Sequence, residues 1–243
     1  TIEFEQMEHQ WFCKEGTDQE YYAEYKKRAW QFLLDLGFKE EHLRFHDHDK
    51  LAHYAKAACD IQYDFPMGWS ELNGIHNRTD YDLSRHQEYS GKSMTYVDPV
   101  TQERYIPYVI EYSIGADRLM LATLSEAYDE ETLENGEVRN VMRFHPAIAA
   151  YKAAVLPLQK GLAPQAKELL QKLKKRFLVT YDEAGSIGKR YRRQDEIGTP
   201  YCLTVDFDTL QDGTVTVRDR DTMEQVRMTA DEVVAFLTEK CAF

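Results

Sequence analysis

The sequence predicts an α/β chain in two parts: an α+β part built on antiparallel strands over residues 1–147, then an α/β part over residues 148–243. Three observations carry this. Thr1 to Phe12 and Tyr105 to Ser113 alternate polar and large side chains, the period of a half-buried antiparallel strand. From Lys152 onward, short apolar strands alternate with helical segments. The charge changes at the same place: residues 1–150 hold 15 Lys/Arg against 28 Asp/Glu, and residues 151–243 hold 15 against 14. With 243 residues and 43% hydrophobic content the chain can bury two cores of ordinary size.

The opening strand has no turn before it, which predicts further chain upstream. Thr17-Asp18 offers an N-cap for a helix to Gly37, with Tyr22, Tyr25, Ala29, Phe32 and Leu33 on one face. Residues 51–63 read as a helix or mixed segment, Phe65 to Gly68 as a turn, and Trp69 to Ile75 as a strand. The Tyr105–Ser113 strand runs through Ile114-Gly115-Ala116-Asp117-Arg118 into an apolar helix from Leu119 to Tyr128. Asp129 to Val141 is acidic and weakly patterned, and His145-Pro146 marks the junction. Beyond it come a strand (153–158), a helix (164–177), a strand (179–181), a short basic helix (186–194) and a strand (201–207). Asp212-Gly213 reads as a hairpin turn into 214–218, and Thr229-Ala230-Asp231 caps a last helix to Lys240.

No apolar run approaches the roughly 20 residues of a membrane helix. A soluble, cytoplasmic protein is therefore expected. Cys13, Cys59, Cys202 and Cys241 show no paired spacing, so neither zinc nor a disulfide framework is implied. A net charge of −12 argues against indiscriminate nucleic-acid binding, and the near-neutral second part is where an RNA would be tolerated. His42, His46, His48 and His53 cluster with Asp47 and Asp49, but the mixed charges read as an exposed turn and no metal ligand is assigned.

Several carboxylates fall on strand faces: Glu5 and Glu8 beside Gln6, Glu71 after Trp69, and Glu111 before Ser113. Unpaired burial would be costly, so they need a cation or a substrate amine. Spacing alone favours solvation or pairing with the chain's own arginines. Gly115 to Arg118 delivers a guanidinium from a strand end onto a helix start, a geometry suited to a phosphate, although an Arg118–Asp117 surface pair would look the same in sequence.

Glu111 to Arg118 resembles motif 3 of class II aminoacyl-tRNA synthetases. Together with Phe4-Glu5-Gln6-Met7-Glu8, Gly68-Trp69-Ser70-Glu71-Leu72, the run Asn77 to Leu83 and the run Gly185 to Pro200, it resembles the dimeric bacterial and eukaryotic glycyl-tRNA synthetases over nearly the whole chain. That resemblance implies an antiparallel class II sheet followed by an anticodon-binding domain on a mixed sheet. It implies an ATP-dependent ligase for glycine, with tRNA(Gly), glycine and ATP as partners, Mg²⁺ on the nucleotide and a homodimer at full length. Phe4, Glu5, Gln6, Met7 and Glu8, with Glu111, Tyr112, Ser113, Ile114 and Gly115, correspond to the glycine site, Glu8 holding the ammonium. Thr1, Ile2, Glu3, Phe4, Glu71, Leu72, Gly115, Ala116, Asp117 and Arg118 correspond to the ATP site, with Arg118 facing the triphosphate and Arg118 and Glu71 as the catalytic pair. The family usually has Pro where Tyr112 stands and Ala near Ile114, so the motif 3 turn is expected to differ in detail. Motif 1 and the motif 2 arginine would lie upstream of Thr1, so this chain alone is expected to be inactive.

In the second part, Lys189, Arg190, Arg192 and Arg193 can pair with phosphates while Tyr191 stacks on a base, as a tRNA-binding surface would. A solvated basic helix face is the bland counterpart. A competing reading of the whole is a non-catalytic synthetase-like protein such as the accessory subunit of mitochondrial DNA polymerase. Joint retention of Glu8, Glu71, Glu111, Ser113 and Arg118 favours the enzyme.

Overall fold

The computed structural model describes residues 2–243, and the chain packs as two compact units, residues 1–125 and 126–243. In the first unit, β1 (Gln6–Cys13), α1 (Asp18–Asp35), β2 (Leu43–Asp47), β3 (Ala57–Phe65) and β4 (Gly68–Asn77) are followed by α2 (Tyr81–Ser90). A small hairpin of β5 (Tyr96–Val97) and β6 (Arg104–Tyr105) then leads to β7 (Tyr108–Gly115) and α3 (Ala116–Ala127). The five long strands form one antiparallel sheet in the order β1-β7-β4-β3-β2.

Alternation decides the two faces of this sheet. Cys59, Ile61, Ile75, Ile110 and Ile114 bury on one face with Tyr22, Tyr25, Ala29 and Leu33 of α1. The alternate residues put Glu8, Gln10, Glu111, Ser113, Gly74, His76 and Asp60 on the other. Phe32 does not join the core: it lies about 100° around the helix from Leu33 and is 40% exposed. Residues 57–65 form a strand where a helix or mixed segment was expected, because Ala58 to Ile61 and Tyr63 are buried in the sheet. The histidine run divides: Leu43 to Asp47, with His46, pairs with Cys59 to Tyr63 as the edge strand, while His48, Asp49 and His53 lie in the loop and turn that follow.

The second unit opens with a hairpin of β8 (Tyr128–Thr132) and β9 (Val138–Met142). Its main elements are β10 (Ala153–Pro157), α4 (Ala163–Leu173), β11 (Val179–Tyr181), α5 (Ile187–Glu196) and β12 (Tyr201–Val205). They continue with α6 (Thr209–Asp212), β13 (Thr214–Asp219), β14 (Gln225–Thr229) and α7 (Ala230–Lys240). The sheet is mixed, in the order β11-β10-β12-β13-β14, with β10 parallel to both neighbours and the last three strands antiparallel. Leu169, Leu170 and Leu173 of α4 and Val233 and Leu237 of α7 pack with Val155, Leu203 and Val217. Ile187 and Tyr191 of α5 pack instead with Ala154, Leu156 and Cys202, on the opposite face.

Thr229 and Glu232 form the reciprocal capping box at the start of α7. Asp212-Gly213 is the end of a single helical turn, with Gly213 at φ 71°, where a hairpin turn was expected. The β8–β9 hairpin packs by charge. Arg139 is fully buried and donates to Asp195 Oδ2 at 2.9 Å and to Glu131 at 2.7 Å, and Arg218 meets the same Asp195 at 2.9 Å. The network ties the hairpin to the second unit, and the packing division falls at 125/126, upstream of the 147/148 junction expected at His145-Pro146.

Candidate functional site

The polar face of the first sheet is ordered in rows by strand register. Glu8 stands opposite Ser113, Ser113 opposite Gly74, and Gly74 opposite Asp60. One step along, Gln10 faces Glu111, which faces His76. Glu111 is only 6% exposed, so its charge must be met locally. Arg78 does this with 3.0 and 3.2 Å bonds to the two carboxylate oxygens, and Gln10 Nε2 adds one at 3.1 Å. Arg78 is itself held by Asp82 at 2.8 Å and lies over the Tyr54 ring. Glu8 accepts from Gln6 Nε2 at 3.0 Å and stays exposed. Glu8, Glu111 and Arg78 border one cleft of ≈ 450 Å³.

A second cleft of ≈ 440 Å³ opens where β7 gives way to α3. Phe4, Glu5, Gln6, Glu71, Leu72, Ser113, Gly115, Asp117 and Arg118 line it. Ala116 N donates to Glu5 O at 2.8 Å, tying the segment before β1 to the start of the helix. Arg118 donates to Glu71 O at 2.9 Å and sits 3.6 Å from its carboxylate. Its partner is thus Glu71, across the cleft, and not its neighbour Asp117. Half-exposed, this guanidinium remains accessible to an anionic ligand. Pairing with the chain's own arginines, the reading spacing favoured, holds for Glu111 and for Glu71.

Alternation separates the predicted residues. Met7 and Ile114 pair with each other on the core side, and Tyr112 opposite His9 is half-buried against the same core. Their side chains turn away from Glu8 and Glu111, although Ile114 borders the second cleft. Ile2 and Glu3 are exposed and line neither cleft, and Thr1 lies outside the described residues. Arg78, Gln10, His76 and Gly74 received no role in the sequence reading. Arg78 sits within the quoted run Asn77 to Leu83, but its acid is 33 residues away and only register reveals the pair.

His48 Nε2 pairs with Asp60 Oδ2 at 2.8 Å, while His53 packs against Tyr54 and Tyr81. Among the described residues no group of three or more His, Cys, Asp or Glu is arranged to hold a metal.

In the second unit, Ser186 caps α5 and its basic residues divide by helix face. Arg190 is 3% exposed and donates to the carbonyls of Pro157, Leu158, Asp182 and Ser186, which corrects its reading as a phosphate contact. Tyr191 bonds Thr204 Oγ1 at 2.7 Å, packs on Cys202 and lies under Arg218, and it borders the hollow formed by its basic neighbours. Arg192 and Arg193 pair with Asp195 and Asp182 at 3.2 and 2.9 Å, yet both border a basic hollow of ≈ 650 Å³ with the exposed Lys189.

Residues 152–240 match the anticodon binding domain family. Over its whole length the chain is 60% identical to the glycine–tRNA ligase of Clostridium kluyveri across 245 residues, which cover 53% of that protein. It is 59% identical to the glycine–tRNA ligase of Geobacillus kaustophilus, again over all of this chain and 53% of the relative. The glycine–tRNA ligase of Clostridium acetobutylicum is 58% identical over 99% of this chain and 52% of its own length. The chain thus spans about half the length of these curated relatives. A crystal structure of the RNA binding domain of threonyl-tRNA synthetase from Cryptosporidium parvum Iowa II superposes with a TM-score of 0.73 at 17% identity. It covers 98% of this chain and 64% of that one, a likeness of fold alone.

Proposed function

We propose that this chain, related from end to end to about half of each glycine–tRNA ligase it matches, carries glycine-binding, ATP-binding and tRNA-binding residues of such an enzyme. The observation that supports this best is that two acids of the predicted glycine site, Glu8 and Glu111, share one sheet face with Ser113, while Arg118 and Glu71 line the adjoining cleft.

The proposed reaction is in-line attack of the glycine carboxylate on the α-phosphorus of ATP, releasing pyrophosphate, followed by transfer of glycine from glycyl-adenylate to the 3′ end of tRNA(Gly). No covalent enzyme nucleophile is needed, and the protein positions reactants and stabilises charge. Glu8 and the Arg78-braced Glu111 would hold the ammonium. Ser113 would orient it, and Phe4 and Arg118 would border the nucleotide. The carboxylate oxygens of Glu71 and Asp117 in this cleft are hard donors that suit Mg²⁺ entering with the nucleotide. When bound, that ion supplies neutralisation of phosphate charge. The anticodon-binding module is assigned from residue 148, with Lys189, Arg192 and Arg193 as its candidate RNA contacts. A homodimer in the cytoplasm completes the reading.

Amino-acid-dependent ATP–pyrophosphate exchange, measured across all twenty amino acids on the protein at the full length of its relatives, tests it. Exchange with glycine supports the ligase. Absence of exchange with any amino acid rejects it in favour of non-catalytic nucleic-acid binding.

A further inference from the structure

Gly74 is the one residue of the row Glu8–Ser113–Gly74–Asp60 with no side chain, although its φ is not positive and its strand conformation does not call for glycine. What requires glycine there is a neighbour. A Cβ at position 74 would stand 2.7 Å from His76 Cε1, 3.4 Å from His76 Nδ1 and 3.5 Å from Ser113 Oγ. The imidazole of His76 has folded back along its own strand into the space a side chain at 74 would occupy.

The ring is fixed on its other sides. Its Nδ1 lies 3.7 Å from Glu111 Oε1, and the His48 ring meets it edge-on at 6.0 Å, anchored in turn by Asp60. His76 Nδ1 is buried and has no hydrogen-bond partner among the described residues. Burial pushes the pKa of this imidazole down, against the pull of Glu111 and Asp60. The ring therefore stands neutral beside Glu111, where an imidazolium would repel an ammonium ligand.

We infer that Gly74 and His76 form a size gauge for the amine end of the site. The ring takes the depth above Gly74, and the space left beside Ser113, Glu8 and Glu111 accepts a primary ammonium whose adjacent carbon bears no side chain. His76 is thus a specificity-determining residue that no acid–base step requires. This rests on the glycine-ligase reading, and it assigns that reading's discrimination against alanine to a residue pair.

The test is ATP–pyrophosphate exchange with glycine and with L-alanine, on the full-length protein and on His76→Ala, Gly74→Ala and the double variant, with thermal melts alongside. One methylene in a close-fitting pocket is worth about 10- to 200-fold in discrimination. Replacing His76 by Ala is expected to lower the glycine-to-alanine ratio of kcat/KM by about tenfold or more, chiefly through faster use of alanine. In Gly74→Ala the new methyl drives the ring into the pocket, raising the KM for glycine by about tenfold. Adding His76→Ala to that variant is expected to restore most of the loss. If His76→Ala melts early, His76→Asn, smaller than the ring but still polar, is expected to show the same loss of discrimination in a folded protein. An unchanged glycine-to-alanine ratio in both His76 variants, or strict additivity in the cycle, overturns the inference while wild-type exchange with glycine leaves the ligase reading standing. A wild-type protein without glycine exchange removes both.

Discussion

Arg78 and Glu111 lie 33 residues apart in sequence and meet with both carboxylate oxygens within 3.2 Å of one guanidinium nitrogen. Register places them together, since Arg78 N bonds Val109 O just past the end of β4. Arg78 is thus a positioning residue for an acid that would otherwise be buried with only Gln10 and the neutral His76 ring against it. Arg78→Ala is expected to raise the KM for glycine at least tenfold in the exchange assay and to cost about 3 kcal/mol of stability. Arg78→Lys should recover stability better than KM, because a point charge cannot reproduce the fork shared by Glu111 and Asp82. Equal effects of the two variants on KM and melting would show that Arg78 is structural only.

Asp195 holds three arginines: Arg139 at 2.9 Å, Arg218 at 2.9 Å and Arg192 at 3.2 Å. Asp195→Asn leaves the buried Arg218 without its counter-charge and Arg139 with Glu131 alone, and is expected to cost about 3 kcal/mol or more. Hydrogen exchange should accelerate first in residues 128–142, the hairpin that Arg139 fastens. Uniform acceleration across the unit would contradict this account of the hairpin.

Within α5 the two neighbours Lys189 and Arg190 should behave oppositely. Lys189→Ala is expected to weaken tRNA binding several-fold, reduce its salt dependence by about one ion and leave the melting temperature unchanged. Arg190→Ala opens a buried void against four carbonyls and should lower the melting temperature by several degrees. Binding titrations at several salt concentrations, paired with melts, separate the two.

Asp206 is held at about 2, well below its ordinary 3.8, chiefly by the Arg227 guanidinium, against burial and with help from the amide and hydroxyl of Thr209. Because the folded state favours the carboxylate, the unfolded chain takes up its proton first as the pH falls. The stabilisation is complete above about pH 4 and is lost as the pH drops through about 2. Arg227 is a third exposed, and solvent screening reduces the contribution to about 1 kcal/mol. Denaturant unfolding of Asp206→Asn should show that deficit at pH 6 and only a small part of it at pH 2. A deficit independent of pH would assign the loss to the turn instead.

Gly198, between α5 and β12, has φ 77°, and a Cβ there would stand 2.9 Å from Met142 O and closer still to the Phe144 ring. Gly198→Ala is expected to destabilise by about 3 kcal/mol, from the left-handed backbone and the overpacking together. Phe144→Ala in the same chain should relieve only the steric share.

Local chemistry was legible in the sequence and long-range pairing was not. The cap at Thr229, the helix from Asp18 and the alternation over Tyr108 to Ser113 read correctly, because each is decided within a few residues, whereas Tyr105 belongs to the small β5–β6 hairpin and not to that strand. Asp129 to Val141 looked unpatterned because its order lies in Arg139, whose partner Asp195 is 56 residues away. Arg190 looked like its neighbours in a basic run, and only the helix phase and the sheet beneath it distinguish a buried guanidinium from an exposed one. At the candidate site the acids and Ser113 were visible as residue types. Arg78, Gln10, Gly74 and His76 were not, because what selects them is the row they occupy, which needs three strands in register.

That dependence on rows has a consequence for how such a site can vary. Side chains on a strand point up or down by odd and even position, so deleting one residue between Gln6 and Cys13 would not shift the pocket slightly. It would exchange Glu8 and Gln10 for Met7 and His9 along half the strand and remove the acid from the ligand's side at a stroke. Connections such as 91–107, with its small β5–β6 hairpin, can lengthen or shorten without touching this arithmetic. Drift in this fold should therefore accumulate as insertions between strands and as substitutions within them, and almost never as a change in strand length.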